Sequence, residues 1–168
     1  MTSRNINLNR TFHPVSEESA VSGDYETHMA YGLEKAIDWE NVLENKRVVI
    51  IAEAGAGKTH ELLHKAKELH ENGKPAFFMR LEYLKDGLES AFENLGDNDY
   101  LDFATWKQSD ESGYIFLDSV DEAKLSDPRE FERALRRLRM ELGTSLAQAT
   151  IVVSSRPTFQ PKTELQLL

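Results

Sequence analysis

Eight consecutive residues, Ala52-Glu53-Ala54-Gly55-Ala56-Gly57-Lys58-Thr59, have the composition that a phosphate chain asks of a protein backbone. Wrapping phosphates in N–H groups requires small side chains, and Gly55, Ala56 and Gly57 provide them. Lys58 would set an ammonium against the β- and γ-phosphate oxygens, and Thr59 offers a hydroxyl to a magnesium ion. The pattern is that of a Walker A loop with Ala52 in place of the first glycine, which is tolerable if Ala52 still belongs to the end of a strand. The expected nucleotide-binding set is Ala54, Gly55, Ala56, Gly57, Lys58, Thr59 and His60, with ATP or ADP and Mg2+ as cofactors.

A second cluster follows the apolar run Tyr114–Leu117: Asp118, then Ser119, Val120, Asp121 and Glu122. An apolar strand that delivers a carboxylate at its C-terminal edge is the Walker B arrangement, so Asp118 joins Thr59 as the expected metal pair. Asp121 and Glu122 lie where a base could orient an attacking water. Glu122 is favoured as the base, with Asp121 holding the water or metal shell, but residue type and spacing leave the two assignments open. A third cluster, Ser154-Ser155-Arg156-Pro157, closes a later apolar run, and Arg156 could sense the γ-phosphate and stabilise its developing charge. The catalytic expectation is therefore Glu122, Asp121 and Arg156.

These groups meet only if strands and helices alternate in the right order. Val48–Ala52 is a continuous apolar run rich in β-branched residues, as a strand buried on both faces reads. A helix is expected over Thr59–Glu71, with Leu62, Leu63, Ala66 and Leu69 on one face, and Asn72, Gly73 and Pro75 stop it. Ala76–Leu81 reads as a second strand, Leu84–Leu95 as a helix, and Tyr100–Trp106 as a further short helix. Tyr114–Leu117 is the third strand, Phe131–Leu142 a long helix, and Ile151–Val153 the fourth strand. Such alternation implies right-handed crossovers and a parallel sheet covered on both faces. In the additional-strand class of P-loop ATPases the later strand inserts between the strand entering the loop and the one ending in the metal carboxylate; small kinases and GTPases place those two side by side. Ahead of the core, residues 1–45 read as a polar arm followed by one amphipathic helix from Thr27 to Leu43, broken near Asp38.

The 168 residues suit one ordinary domain, and 40% hydrophobic with 29% charged residues is a soluble balance with enough apolar side chains for a core. A net charge of −9 argues against the basic footprint of a nucleic-acid binder. The absence of cysteine excludes disulfides, thiolate chemistry and zinc–sulfur sites. The start of the chain has no apolar stretch of a secretory signal, and no run nears the ~18 apolar residues of a membrane span, so a cytoplasmic protein without membrane contact is expected.

The segments AEAGAGKT, YIFLDSVDEA and IVVSSRP together resemble the NACHT branch of the STAND NTPases, the signal-transducing ATPases with numerous domains, over roughly residues 40 to 160. In that family Walker B reads as an apolar run, Asp, two small or apolar residues and Asp-Glu, which Asp118, Asp121 and Glu122 match. Its sensor strand often ends in Ser/Thr-Ser-Arg-Pro, matched by Ser154, Ser155, Arg156 and Pro157. The resemblance implies a three-layer α/β sandwich of the P-loop NTPase kind. It also implies a regulatory switch that holds ADP at rest, exchanges it for ATP on a trigger and then oligomerises, in signalling or antiphage defence. The core is placed at 46–160, with 161–168 as a truncated tail. The family's fifth strand and lid are expected to be missing from the chain, and so is an N-terminal effector. Weak nucleotide affinity, little turnover and association through the open edge of the first strand follow from that expectation. Nucleotide, other domains of a longer homologue and further copies of the chain are the expected partners. Two rivals stand beside this reading. One is an AAA+-type remodelling ATPase, against which the Asp-x-x-Asp-Glu spacing counts; the other is a nucleotide-binding interaction module without useful hydrolysis.

Other residues carry less. His60 and His64, with His70 further along, lack a third metal ligand and read as surface histidines. Arg133, Arg136, Arg137 and Arg139 read as a solvated helix face, or a contact to a partner. Trp39 and Trp106 read as partly buried core residues, Trp39 with an adenine-stacking alternative.

Overall fold

The structure is a computed structural model that describes residues 11–15, 36–93, 95–118 and 128–155. In chain order the elements are α1 (Trp39–Leu43), β1 (Arg47–Ile51), α2 (Lys58–Glu71), β2 (Ala76–Arg80), a 3-10 stretch Leu81–Asp86, α3 (Leu88–Ala91), α4 (Asp99–Trp106), β3 (Gly113–Asp118), α5 (Pro128–Leu142), a 3-10 stretch Gly143–Ala147 and β4 (Ala149–Ser155). The four strands form one all-parallel sheet in the order β1-β4-β3-β2. β4 thus lies between the strand that enters the glycine loop and the strand that ends in Asp118.

Alternation along each strand sorts its side chains to two faces. On one face Val48, Val152, Phe116 and Phe78 lie in register across all four strands, and Leu62 and Ala66 of α2 pack onto them. On the other, Ile115, Leu117, Ile151, Val153, Phe77 and Met79 meet Leu135, Leu138 and Leu142 of α5 and Phe103 and Trp106 of α4. Covered faces explain why β2, β3 and β4 read as unbroken apolar runs; β1, at one end of the described sheet, is half-buried along its length rather than buried on both faces as its run suggested. Leu62 is fully buried, and burying a leucine contributes roughly 1.5–3 kcal/mol, enough to pin α2 in register with the sheet. Pinned there, its first turn overhangs the C-terminal ends of the strands. At the opposite end, Arg47 ties β1 to the approach of β4 by donating from Nη1 to Ala149 O at 2.7 Å and from Nη2 to Leu146 O at 2.9 Å.

Several expected boundaries shift. β1 begins at Arg47, and Ala52 lies just beyond it, its N–H continuing the ladder to Ser155 O at 3.2 Å. Of the helix expected over 27–43 with a break near Asp38, the part after the break is α1, Trp39–Leu43, which the Asp38 carboxylate caps by accepting from Asn41 N at 3.1 Å. Ile37 is instead extended and pairs antiparallel with Phe12, so part of the arm lies on the core; residues 27–35 fall outside the described ones. The helix expected over 84–95 is a 3-10 stretch, a break at Gly87 and the four residues of α3. Beyond α3 the chain straightens, and Phe92 bridges back to Met79 along the outer edge of β2. Edge pairing of Phe92 has overridden the helical spacing of Leu84, Leu88, Ala91 and Leu95. Trp106 is buried, its indole N–H donating to Glu111 O at 2.9 Å. Arg133, Arg136, Arg137 and Arg139 lie on the exposed side of α5, where Arg137 donates to Leu84 O. No helix among the described residues is long and apolar enough to cross a membrane.

Candidate functional site

One step of two residues beyond the apolar row Val48–Val152–Phe116–Phe78 comes a row of different character: Ile50, Ser154, Asp118 and Arg80. All four point to the α2 face, at the C-terminal edge where ligands of open parallel sheets bind. The strands therefore carry hydrocarbon under the body of α2 and polar groups under its first turn.

The loop over 52–57 joins β1 to α2. Gly57 is the N-cap of α2 at φ 81, a left-handed conformation that glycine adopts without a Cβ penalty, and it offers no side-chain cap. The first-turn amides of α2 and the positive end of its dipole thus face the loop without a capping side chain, an arrangement suited to an anion. Lys58, the first residue of the helix, folds its ammonium back over the loop, donating to the carbonyls of Ala52 and Glu53, the latter at 2.8 Å. Ala54 and Gly55 are exposed, and Ala56 closes a turn by donating to Glu53 O at 3.3 Å. His60 is exposed on the first turn of α2, its ring stacked on that of His64.

Asp118 is the centre of the row. It is only 5% exposed, and its two carboxylate oxygens accept from two hydroxyls. Thr59 Oγ1 donates to Oδ2 at 2.8 Å, and Ser154 Oγ donates to Oδ1 at 2.8 Å. The two residues expected to share a metal, 59 positions apart, are in direct contact. Ser154 was legible as part of the cluster that ends the fourth strand; its bond to Asp118 follows from β4 lying next to β3 and was not itself expected.

Arg80 is a further member that residue types alone did not single out. It ends β2 opposite Asp118, and its Nε donates to Glu93 Oε2 at 2.6 Å. The hydrogen bond to Glu93 raises the Arg80 guanidinium above its ordinary value, partial burial opposes the rise, and the charges of Glu93 and Asp118 add to it. A signal was present: the run Phe77-Phe78-Met79-Arg80 ends in a charge as Ile115-Phe116-Leu117-Asp118 does, and parallel pairing sets the two ends side by side.

The donor set fits magnesium. A threonine hydroxyl has one O–H and two lone pairs; giving the proton to Asp118 leaves the lone pairs for a cation. Among the described residues no group of three or more His, Cys, Asp and Glu stands together as an all-protein cage. Magnesium usually keeps waters and takes one or two carboxylates with substrate phosphates, so Asp118 and Thr59 are the described residues that could hold it. Asp121, Glu122 and Arg156 lie outside the described residues. Trp39 sits beside the same face of the sheet, edge-on to Phe12 and Phe116 with ring centroids 4.8 and 6.0 Å away, and its indole N–H donates to Glu61 Oε1 at 2.8 Å. Those contacts make it the part-buried packing residue expected. Comparison with protein-family models, curated proteins and solved structures finds no match to this chain.

Proposed function

We propose that the chain binds magnesium–ATP or ADP at the loop between β1 and α2 and serves as a slowly hydrolysing regulatory switch of the NACHT-like P-loop kind, acting in the cytoplasm. The observation that carries the reading is the bond from Thr59 to the buried Asp118, which joins the helix bearing the glycine loop to the carboxylate at the end of β3. The placement of β4 between β1 and β3 supports the additional-strand kind over the kinase and GTPase kind.

Each group then has a task. The loop backbone and the first turn of α2 take the phosphate oxygens. Lys58 leaves the carbonyls of Ala52 and Glu53 for the β- and γ-phosphates, exchanging neutral acceptors for charged ones. Thr59 and Asp118 hold the Mg2+, which when bound neutralises phosphate charge. Ser154 keeps Asp118 oriented. On the sequence pattern alone, Glu122 is proposed as the base, Asp121 as holding the water or metal shell, and Arg156 as the residue that senses the γ-phosphate. Self-association on nucleotide exchange belongs to the same proposal.

Calorimetric titration with ATP in the presence of Mg2+ tests it. A charge-assisted hydrogen bond contributes roughly 1.5–3 kcal/mol, so Lys58→Ala should weaken binding by about one to two decades. Equal affinity of wild type and variant would refute the assignment.

A further inference from the structure

The ion pair between Arg80 and Glu93 has no task in the scheme above, yet it lies one strand away from Asp118. Arg80 and Asp118 are register partners on adjacent parallel strands, so their side chains leave the same face at the same edge, from backbones about 4.8 Å apart. Glu93 is brought there deliberately by the chain path. After α3 the backbone doubles back along β2, where Phe92 bridges Met79 and Glu93 N donates to Phe78 O at 3.0 Å. Among the described residues, Asp118 accepts hydrogen bonds from two hydroxyls and from no cation, so Arg80 acts on it through space.

We propose that Arg80 and Glu93 set the strength with which the Asp118 site takes its divalent cation, Arg80 opposing the metal and Glu93 moderating Arg80. The inference rests on the magnesium–nucleotide reading and deepens it. A divalent ion beside Asp118 is repelled by a guanidinium held on the neighbouring strand and attracted by the carboxylate that holds it. Glu93 is the farther of the two charges from the row, because it belongs to the strap outside β2. The side chains are 32% and 39% exposed, so solvent screens both effects without abolishing them.

The test is the Mg2+ concentration that half-saturates the enhancement of ADP binding, measured by calorimetry on the full chain. Arg80→Gln should lower that concentration about threefold to tenfold, the range expected for removal of one screened charge a few ångströms from a divalent ion. Glu93→Gln should raise it about twofold to fivefold, because it leaves Arg80 uncompensated. Arg80→Lys retains the charge and should stay within about twofold of wild type. Both shifts should shrink in high salt. A structural role for the pair predicts the opposite outcome: either substitution breaks the same bond, so both variants would move the same way. Shifts of one sign, or none, overturn the inference while the wild type still shows Mg2+-dependent binding. Wild-type binding that ignores Mg2+ would instead remove the metal reading and this inference with it.

Discussion

Substituting Ser154 by alanine isolates the contact that the fourth strand makes with the site. Ser154 is fully buried, and its hydroxyl gives Asp118 Oδ1 one of its two hydrogen bonds, at 2.8 Å. A hydrogen bond to a charged group contributes roughly 1.5–3 kcal/mol, and alanine leaves a void of a single oxygen, so the loss of the bond dominates. For a domain of this size each kcal/mol moves the melting temperature by about 2–4 °C. The metal-free protein should therefore lose roughly 1.5–3 kcal/mol and melt roughly 3–12 °C lower, by chemical and thermal denaturation in chelator. Burial also removes the bond from salt screening, so the difference should persist in about 1 M salt. A double-mutant cycle with Asp118→Ala makes the assignment specific. In that background Ser154→Ala should cost at least about 1 kcal/mol less than in the wild type, and that difference is the coupling. Any other interaction lost with the Ser154 hydroxyl is lost in both backgrounds and cancels in the cycle. A Ser154→Ala variant within about 0.5 kcal/mol of wild type, or one equally destabilised with and without Asp118, refutes the reasoning.

Two further substitutions probe the base and the core. Glu122→Gln should preserve ATP binding and slow hydrolysis by about 10²–10⁴ in single-turnover assays; if Asp121→Asn alone has that effect, Asp121 is the base. Gly113→Ala would place a Cβ inside the van der Waals envelope of the Trp106 indole, so overpacking should destabilise the protein by about 1–3 kcal/mol in a urea titration. A neutral outcome there would show that the indole can move aside.

The parts of this chain that sequence makes legible are those set by local periodicity. Phe77–Met79, Ile115–Leu117 and Ile151–Val153 are apolar on both alternations, and each is buried in the parallel sheet; Val48–Ile51 has the same pattern and is a strand, but at the sheet's edge it is only half-buried. Leu62 and Ala66 mark the buried face of α2 at a spacing of one turn. What the periodicity hid is competition between local and distant partners. Leu84, Leu88, Ala91 and Leu95 keep helical spacing, but the edge of β2 offers backbone groups for pairing: Phe92 bridges Met79, and Glu93 N donates to Phe78 O. The break near Asp38, by contrast, was legible, and its cause is that the carboxylate serves the backbone of Asn41 and starts a new helix. Thr59 and Asp118 were legible as a site because each type has a defined role beside phosphate. Arg80 was not, since its place depends on the pairing register of β2 with β3.

The order of the strands explains why a serine completes the site. Had β1 and β3 been neighbours, Ile50 would lie directly beside Asp118, and the carboxylate would face hydrocarbon on that flank. With β4 between them, β1 and β3 stand two interstrand spacings apart, about 10 Å. That gap separates the loop leaving β1 from the carboxylate ending β3 by more than any hydrogen bond. It is closed from above by α2, which reaches across to set Thr59 on Asp118, and from within the sheet by Ser154. A carboxylate buried to this degree costs several kcal/mol unless its oxygens are satisfied, so the intervening strand must end in a donor. Ile151, Val152 and Val153 form the middle of β4, and the next position, which abuts Asp118, carries the hydroxyl of Ser154. The inserted strand therefore does two things at once: it opens the space above the sheet between loop and carboxylate, and it provides the bond that lets a buried aspartate stand at its edge.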